Sequence, residues 1–293
     1  MRMKEPVKET DGGFVLILVL LIVAVLMALA VNFAYGVYVN ASGIHNMQIL
    51  EELSVEGSSL IDSSAPPFLQ ALALGQISLD QQQMEIPIDD GTTVYFQAGD
   101  ENSRFNLNTL VNQNGDLNKD AYQSFQRLLK ALDLDAGIAD KVVEWINPAA
   151  LPEAEAEGEG STVTNGYLTS VPELALFIGK ASYDTLKNYV TVFGNGLIDI
   201  NSAPAPVLES LSGDVSDDRA EQIIEWRKLE PFKNIGDLDK VAGFDKLGME
   251  LAPRITVSSS AVRIKASATR QGITRIVEGV LDTSGNILYW REY

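Results

Sequence analysis

The chain has no cysteine and a single histidine, His45, among its 293 residues. Without thiols there is no disulfide framework, no thiolate zinc cluster and no cysteine nucleophile. Any Ser-His-Asp site would have to be built around His45. Basic residues are also scarce: 22 Lys and Arg stand against 40 Asp and Glu, a formal charge of −18. That balance argues against nucleic acid as a natural ligand, since a phosphate backbone is repelled. It suits a solvated surface outside the cytoplasm, or divalent cations. A glycine-rich phosphate loop of the P-loop pattern is missing as well.

Charge of either sign disappears altogether from Gly12 to Leu50, and residues 14–31 are almost purely Leu, Val, Ile, Ala and Met. Eighteen such residues rise about 27 Å as a helix, enough to cross a hydrocarbon core. A secretory signal would break at a small-residue site after its apolar run. Here helix-compatible sequence continues instead, with no proline between Phe14 and Ala65. Arg2, Lys4 and Lys8 precede the span and the next basic residue is Arg104. The positive-inside rule therefore keeps the N-terminus cytoplasmic and exports the rest. Beyond the span Val39, Ile44, Met47, Leu50, Leu53, Leu60 and Ile61 recur every three or four residues. This extends the helix as a stalk that ends at Ala65-Pro66-Pro67.

Period-two alternation predicts strands in two separated groups, at 84–88 and 92–98 around Asp89-Asp90-Gly91, then at 261–269, 273–281 and 287–291. The region between, 110–253, reads as helical and contains an internal repeat. Asn106-Leu107-Asn108-Thr109 matches Asp199-Ile200-Asn201-Ser202, and the helix ending in Trp145 matches the one ending in Trp226. Leu168-Thr169-Ser170-Val171-Pro172-Glu173-Leu174 matches Phe232-Lys233-Asn234-Ile235-Gly236-Asp237-Leu238. Two small helical units follow, about 110–180 and 200–253, with Trp145 and Trp226 expected to plug equivalent positions in their cores. Such units are similar to the helix-hairpin-helix and SAM-like class. Their turns, Asp133 to Gly137 and Ser212 to Asp218, are acidic, which speaks against DNA.

The junction Gly12-Gly13-Phe14 resembles the signal of type IV prepilins, in which a peptidase cuts after glycine on the cytoplasmic face. A glycine there can extend into a protease site ahead of a rigid helix. The resemblance implies a leader of residues 1–13 and an N-methylated Phe14 at the start of the mature chain. Most pilins carry a glutamate where this chain has Leu18, and that carboxylate is thought to dock a subunit against the one above. A subunit with Leu18 suits the first position of a filament. Together with Asp100-Glu101-Asn102-Ser103-Arg104-Phe105-Asn106-Leu107-Asn108 and Ile198-Asp199-Ile200-Asn201-Ser202-Ala203-Pro204, these features resemble the minor pseudopilin K family of the type II (general) secretion pathway.

The resemblance implies an α+β protein: a long transmembrane helix (14–66) packed on an antiparallel sheet, the sheet's first part in 67–109 and its last strands in 254–293. The large helical insertion separates the two parts. It implies a non-enzymatic subunit of the inner membrane of a Gram-negative bacterium, its C-terminal domain periplasmic. Its partners would be minor pseudopilins I and J in a tip complex, other pseudopilins, the prepilin peptidase and the inner-membrane assembly platform. Other readings are the tip of a related type IV pilus or DNA-uptake machine, or a membrane-tethered periplasmic enzyme. Calcium is the one cofactor to weigh. The family's usual carboxylates after the tryptophan are replaced by Asn147 and Ala149, leaving Glu153, Glu155 and Glu157, or Asn112, Asn114 and Asp116, as oxygen donors.

Overall fold

The computed structural model describes residues 11–73, 83–88, 91–150 and 166–293. The uncharged run and the amphipathic stretch after it form one helix, α1 (Asp11–Ala73), 63 residues long. From Phe14 to Val31 its large apolar side chains are exposed. A helix apolar all round needs lipid or other helices as its surroundings. Burial begins at Ile49 and recurs at every fourth residue, Leu53, Gly57, Ile61, Ala65 and Leu69. A row of that period runs at about 26° to the helix axis.

The expected end at Pro66-Pro67 is not an end, for α1 passes through both prolines to Ala73. Each proline removes an N–H donor. Ala65 and Leu69 nevertheless stay buried, and Phe68 meets Phe96 edge-on with ring centroids 6.1 Å apart. Packing over the head outweighs the two missing bonds.

After α1 come β1 (Gln83–Ile88) and β2 (Thr92–Asp100), which lead into the insertion. Its first unit holds β3 (Phe105–Asn106), α2 (Lys119–Ala131), α3 (Ile138–Ile146), α4 (Lys180–Leu186) and β4 (Val190–Thr191). Its second holds β5 (Ile198–Asp199), α5 (Ala205–Ser210), α6 (Asp217–Leu229), α7 (Leu247–Leu251) and β6 (Ile255–Thr256). The chain closes with β7 (Ala261–Arg270), β8 (Ile273–Asp282) and β9 (Ile287–Glu292).

The five long strands make one antiparallel sheet in the order β1-β2-β7-β8-β9. Val94, Phe96, Ala98, Val262, Ile264, Ala266, Ala268 and Val277 turn one face toward α1 and form the head's core with it. The insertion has a separate core, and this corrects its limits. Phe105 and Leu107 on one side and Ile255 on the other belong to that second core, so the insertion departs directly after Asp100 and returns just before Ala261, rather than spanning 110–253. The register pairs Asp100 with Val262, so it enters and leaves between two hydrogen-bonded neighbours.

The two units share a plan. Each is tied by a two-residue parallel bridge, Phe105 and Asn106 on Val190 and Thr191, Ile198 and Asp199 on Ile255 and Thr256. Each contains a 3₁₀ segment, Val171–Leu176 and Ile235–Lys240, opened by an acidic residue that gathers the N–H groups before it. Glu173 accepts from Thr169 and Ser170 at 3.0 and 2.8 Å, and Asp237 from Lys233 and Asn234 at 3.0 and 2.9 Å. The tryptophans, expected as core plugs, are half-buried at the margin, where Trp145 stacks on Phe177 at 4.7 Å. Val142 and Ile223, three residues earlier, fill the cores instead. An indole is large and carries a polar N–H, so it sits more readily at a boundary.

Candidate functional site

For a subunit of this shape the functional features are the apolar anchor, its fastening to the head and the joint that carries the insertion. Gly13 and Phe14 lie inside the first turns of α1, not in extended chain ahead of it. Once the apolar helix is nucleated, each added residue gains a hydrogen bond at little cost, so it propagates back over the glycines. A β-carbon on Gly13 would meet nothing within 4 Å. Leu18 is 47% exposed among apolar neighbours that are equally uncovered.

Fastening depends on close approach. A β-carbon on Gly57 would lie 2.8 Å from Val277 Cγ2 and 3.9 Å from Ala266 Cβ. Only glycine lets α1 settle that far into the sheet. Below this point Arg270, 8% exposed, donates to Thr92 Oγ1 at 2.7 Å and to Glu52 and Glu56 at 2.5 Å each. Ser54 donates to Glu292, which also receives Arg275 at 3.1 Å. One arginine thus holds two successive turns of the stalk.

The joint is built from three consecutive polar residues, Asp100, Glu101 and Asn102, all buried. Glu101 receives Arg104 at 2.7 Å, Arg263 at 2.6 Å and the Thr191 hydroxyl, and Arg263 continues to Glu278. Burial pushes the Glu101 carboxyl up, but the charges of Arg104 and Arg263 and the bonds from Arg263 and Thr191 outweigh it and hold it below its ordinary value. Asn102 donates to Asn195 Oδ1 and the Leu197 carbonyl at 2.8 and 2.7 Å. Its own oxygen accepts from the Ser260 N–H and hydroxyl, both at 2.8 Å. In the sequence this stretch carries the family resemblance and little else. Its signal is three polar residues directly after an alternating strand.

Of the possible calcium ligands, Asn112, Asn114 and Asp116 share one turn. Asn114 and Asp116 hydrogen-bond to each other in an exposed turn closed by Asn112 N–H to the Asp116 carbonyl at 2.8 Å. Asn147 is committed to that turn, donating to the Gly115 carbonyl at 2.9 Å while accepting from the Ala149 N–H. Glu153, Glu155 and Glu157 lie outside the described residues. Among the described residues no group of three or more His, Asp or Glu is placed to hold a metal.

A long apolar anchor helix, packed on an antiparallel sheet whose strands are parted by a helical insertion, defines a pilin-class membrane subunit. Two family models, both described as type II secretion system (T2SS) protein K, match residues 103–195 and 198–258, dividing between the two units and together covering just over half of the chain. The chain belongs to the T2SS protein K family, the minor pseudopilins of type II secretion. Among solved structures it is similar to a chain of the GspK–GspI–GspJ complex from the enterotoxigenic Escherichia coli Type 2 Secretion System. That match has a TM-score of 0.66 and 17% identity, over 87% of this chain and 99% of the other. No curated protein matches.

Proposed function

We propose that this pseudopilin stands at the tip of the secretion filament, with a structural rather than catalytic role. The observation that carries the reading is the direction in which the insertion leaves. Arg270, the last residue of β7, binds Glu52 and Glu56, while Ala266 lies opposite Gly57 further along α1. β7 therefore descends toward the membrane end of α1, and the insertion departs from the other end. A bulky unit projecting there would obstruct a subunit stacked above it. At a tip there is none.

On this reading prepilin peptidase cuts after Gly13 at the cytoplasmic face of the inner membrane, and the head lies in the periplasm. Leu18 offers no carboxylate upward, where pilins commonly place a glutamate. The crystallised GspK–GspI–GspJ complex supports minor pseudopilins I and J as direct partners. Other pseudopilins and the inner-membrane assembly platform follow from membership of the filament.

Immunogold labelling of assembled filaments tests the reading, with gold expected at one end only. Regular labelling along the shaft overturns it. Leu18→Glu restores only the missing carboxylate and should move the subunit into the shaft or lower secretion.

A further inference from the structure

Asp100 and Asp199 meet where the second unit joins the sheet. Asp100 ends β2 at 3% exposure, and Asp199 ends β5 at 6%. Their carboxyl groups adjoin: Ser202, three residues beyond Asp199, donates to Asp100 Oδ2 at 2.5 Å, and each carboxyl acts on the other's titration. An ionised carboxylate has no donor, so a hydrogen bond between the two forms only while the pair holds a proton. The remaining oxygens are well supplied. Asp100 accepts from the Asn102 N–H at 2.7 Å and the Ser202 hydroxyl at 2.5 Å, and Asp199 accepts from the Asn201 N–H at 2.8 Å.

The first unit shows that the turn itself does not need an acid. Asn106 occupies the place of Asp199 there, and its oxygen accepts from the Asn108 N–H at 3.0 Å as Asp199 accepts from Asn201. An amide completes the same turn without a charge. The carboxyl at 199 therefore adds a property that the turn lacks without it.

We infer that one proton shared by Asp100 and Asp199 pins the second unit to the sheet, and that losing it as pH rises loosens this joint. Burial raises the Asp100 carboxyl above its ordinary value, against the hydrogen bonds it accepts. Burial, then the charge of Asp100, pushes Asp199 up to about 8. Two other charged groups face the pair. Arg227 of α6 draws Asp199 down more weakly, its guanidinium held on the Ile200 and Ala203 carbonyls at 2.9 and 2.7 Å. Glu101 adjoins Asp100, but its carboxylate is turned to Arg104 and Arg263.

The sign follows from linkage. An aspartate in an open joint titrates near 3.9, whereas in the closed joint the proton is held to about pH 8. The closed form is fully favoured in acid and loses its advantage as pH rises across that window, after which the effect levels off.

Hydrogen exchange on the full chain in detergent micelles, corrected for the intrinsic effect of pH, tests this between about pH 5 and pH 9. The amides of Asn102 and Asn201 should open up to about tenfold more readily per pH unit, flattening near the upper end. The Asn108 amide, whose acceptor is uncharged, should stay level. Asp199→Asn keeps a donor toward Asp100 and should hold all three amides level. Asp100→Asn should do the same from the other side. A level profile in the wild type overturns the proposal, as does a slope that survives in both variants. So does a slope shared by Asn108, because the effect would then be global. Loosening by EDTA at about pH 6 would also sink it, since a divalent cation rather than a proton would be the pin.

Discussion

Asn108 and Asn201 make the same three hydrogen bonds in the two units of the insertion. Asn108 accepts from the Leu168 N–H and donates to the carbonyls of Leu168 and Val192, at 2.9, 2.9 and 3.2 Å. Asn201 accepts from the Phe232 N–H and donates to the carbonyls of Phe232 and Val257, at 2.9, 2.9 and 3.3 Å. A single amide thereby ties the opening turn of each unit to the residue three before its 3₁₀ segment and to the residue just after its closing strand.

Replacing either asparagine with alanine should cost about 2–4 kcal/mol, because three backbone groups lose their partner together. Urea unfolding of the two single variants checks this. Costs that differ by more than about 2 kcal/mol would show that the two amides do not do equivalent work.

Gly57→Ala should destabilise the head by about 1–3 kcal/mol, since the new methyl must displace Val277. Adding Val277→Ala should recover part of that loss, a coupling measurable by a double-mutant cycle. Gly43→Ala is the control. A β-carbon there meets nothing within 4 Å, so it should be neutral or slightly stabilising.

Glu101→Gln should cost about 3 kcal/mol at neutral pH, because Arg104 loses its carboxylate and Arg263 is left with Glu278 as its partner. The pH sense is opposite to that of the aspartate pair. Glu101 is held below its ordinary value, so its contribution is present above the ordinary glutamate range and lost as pH falls through the folded value. Chemical unfolding of the wild type in acid should show this loss, and the variant should show less of it.

Processing is read by N-terminal mass spectrometry of protein from native membranes, which should give Phe14 as the first residue. Gly13→Val should leave the precursor uncut yet anchored. A β-carbon at 13 touches nothing, so the change acts on the peptidase and not on the fold. A mature chain that begins at Met1 would remove the leader reading.

The strands were legible because alternation is a local signal. The expected 261–269 and 273–281 fall within one residue of β7 and β8, and Gln271-Gly272 supplies the turn, both residues at positive φ. Prolines 66 and 67 misled for the same reason. Their local meaning is a stop, and only Phe96 and the sheet beneath explain why α1 continues. The joint was illegible on principle. The partners of Asp100, Glu101 and Asn102, among them Asp199, Thr191, Arg263 and Ser260, lie far along the chain. Three polar residues after a strand mark the place, but nothing local marks an acid there as buried when its neutralising groups are so distant.

The placement of the insertion between β2 and β7 also sets an order of events during synthesis. β2 leaves the ribosome early, but its central partner β7 follows only after about 160 residues, and closing so long a flexible loop carries an entropic cost that grows with its length. Once the insertion has folded, its two ends are already neighbours, and the remaining search is short. The insertion therefore acts as a clasp that brings the halves of the sheet together. Until it closes, the row from Ile49 to Leu69 on α1 and the inner face of β2 remain uncovered. The growing chain thus carries this apolar surface unprotected from the first strands to the last, which is the interval in which a holding partner would matter most.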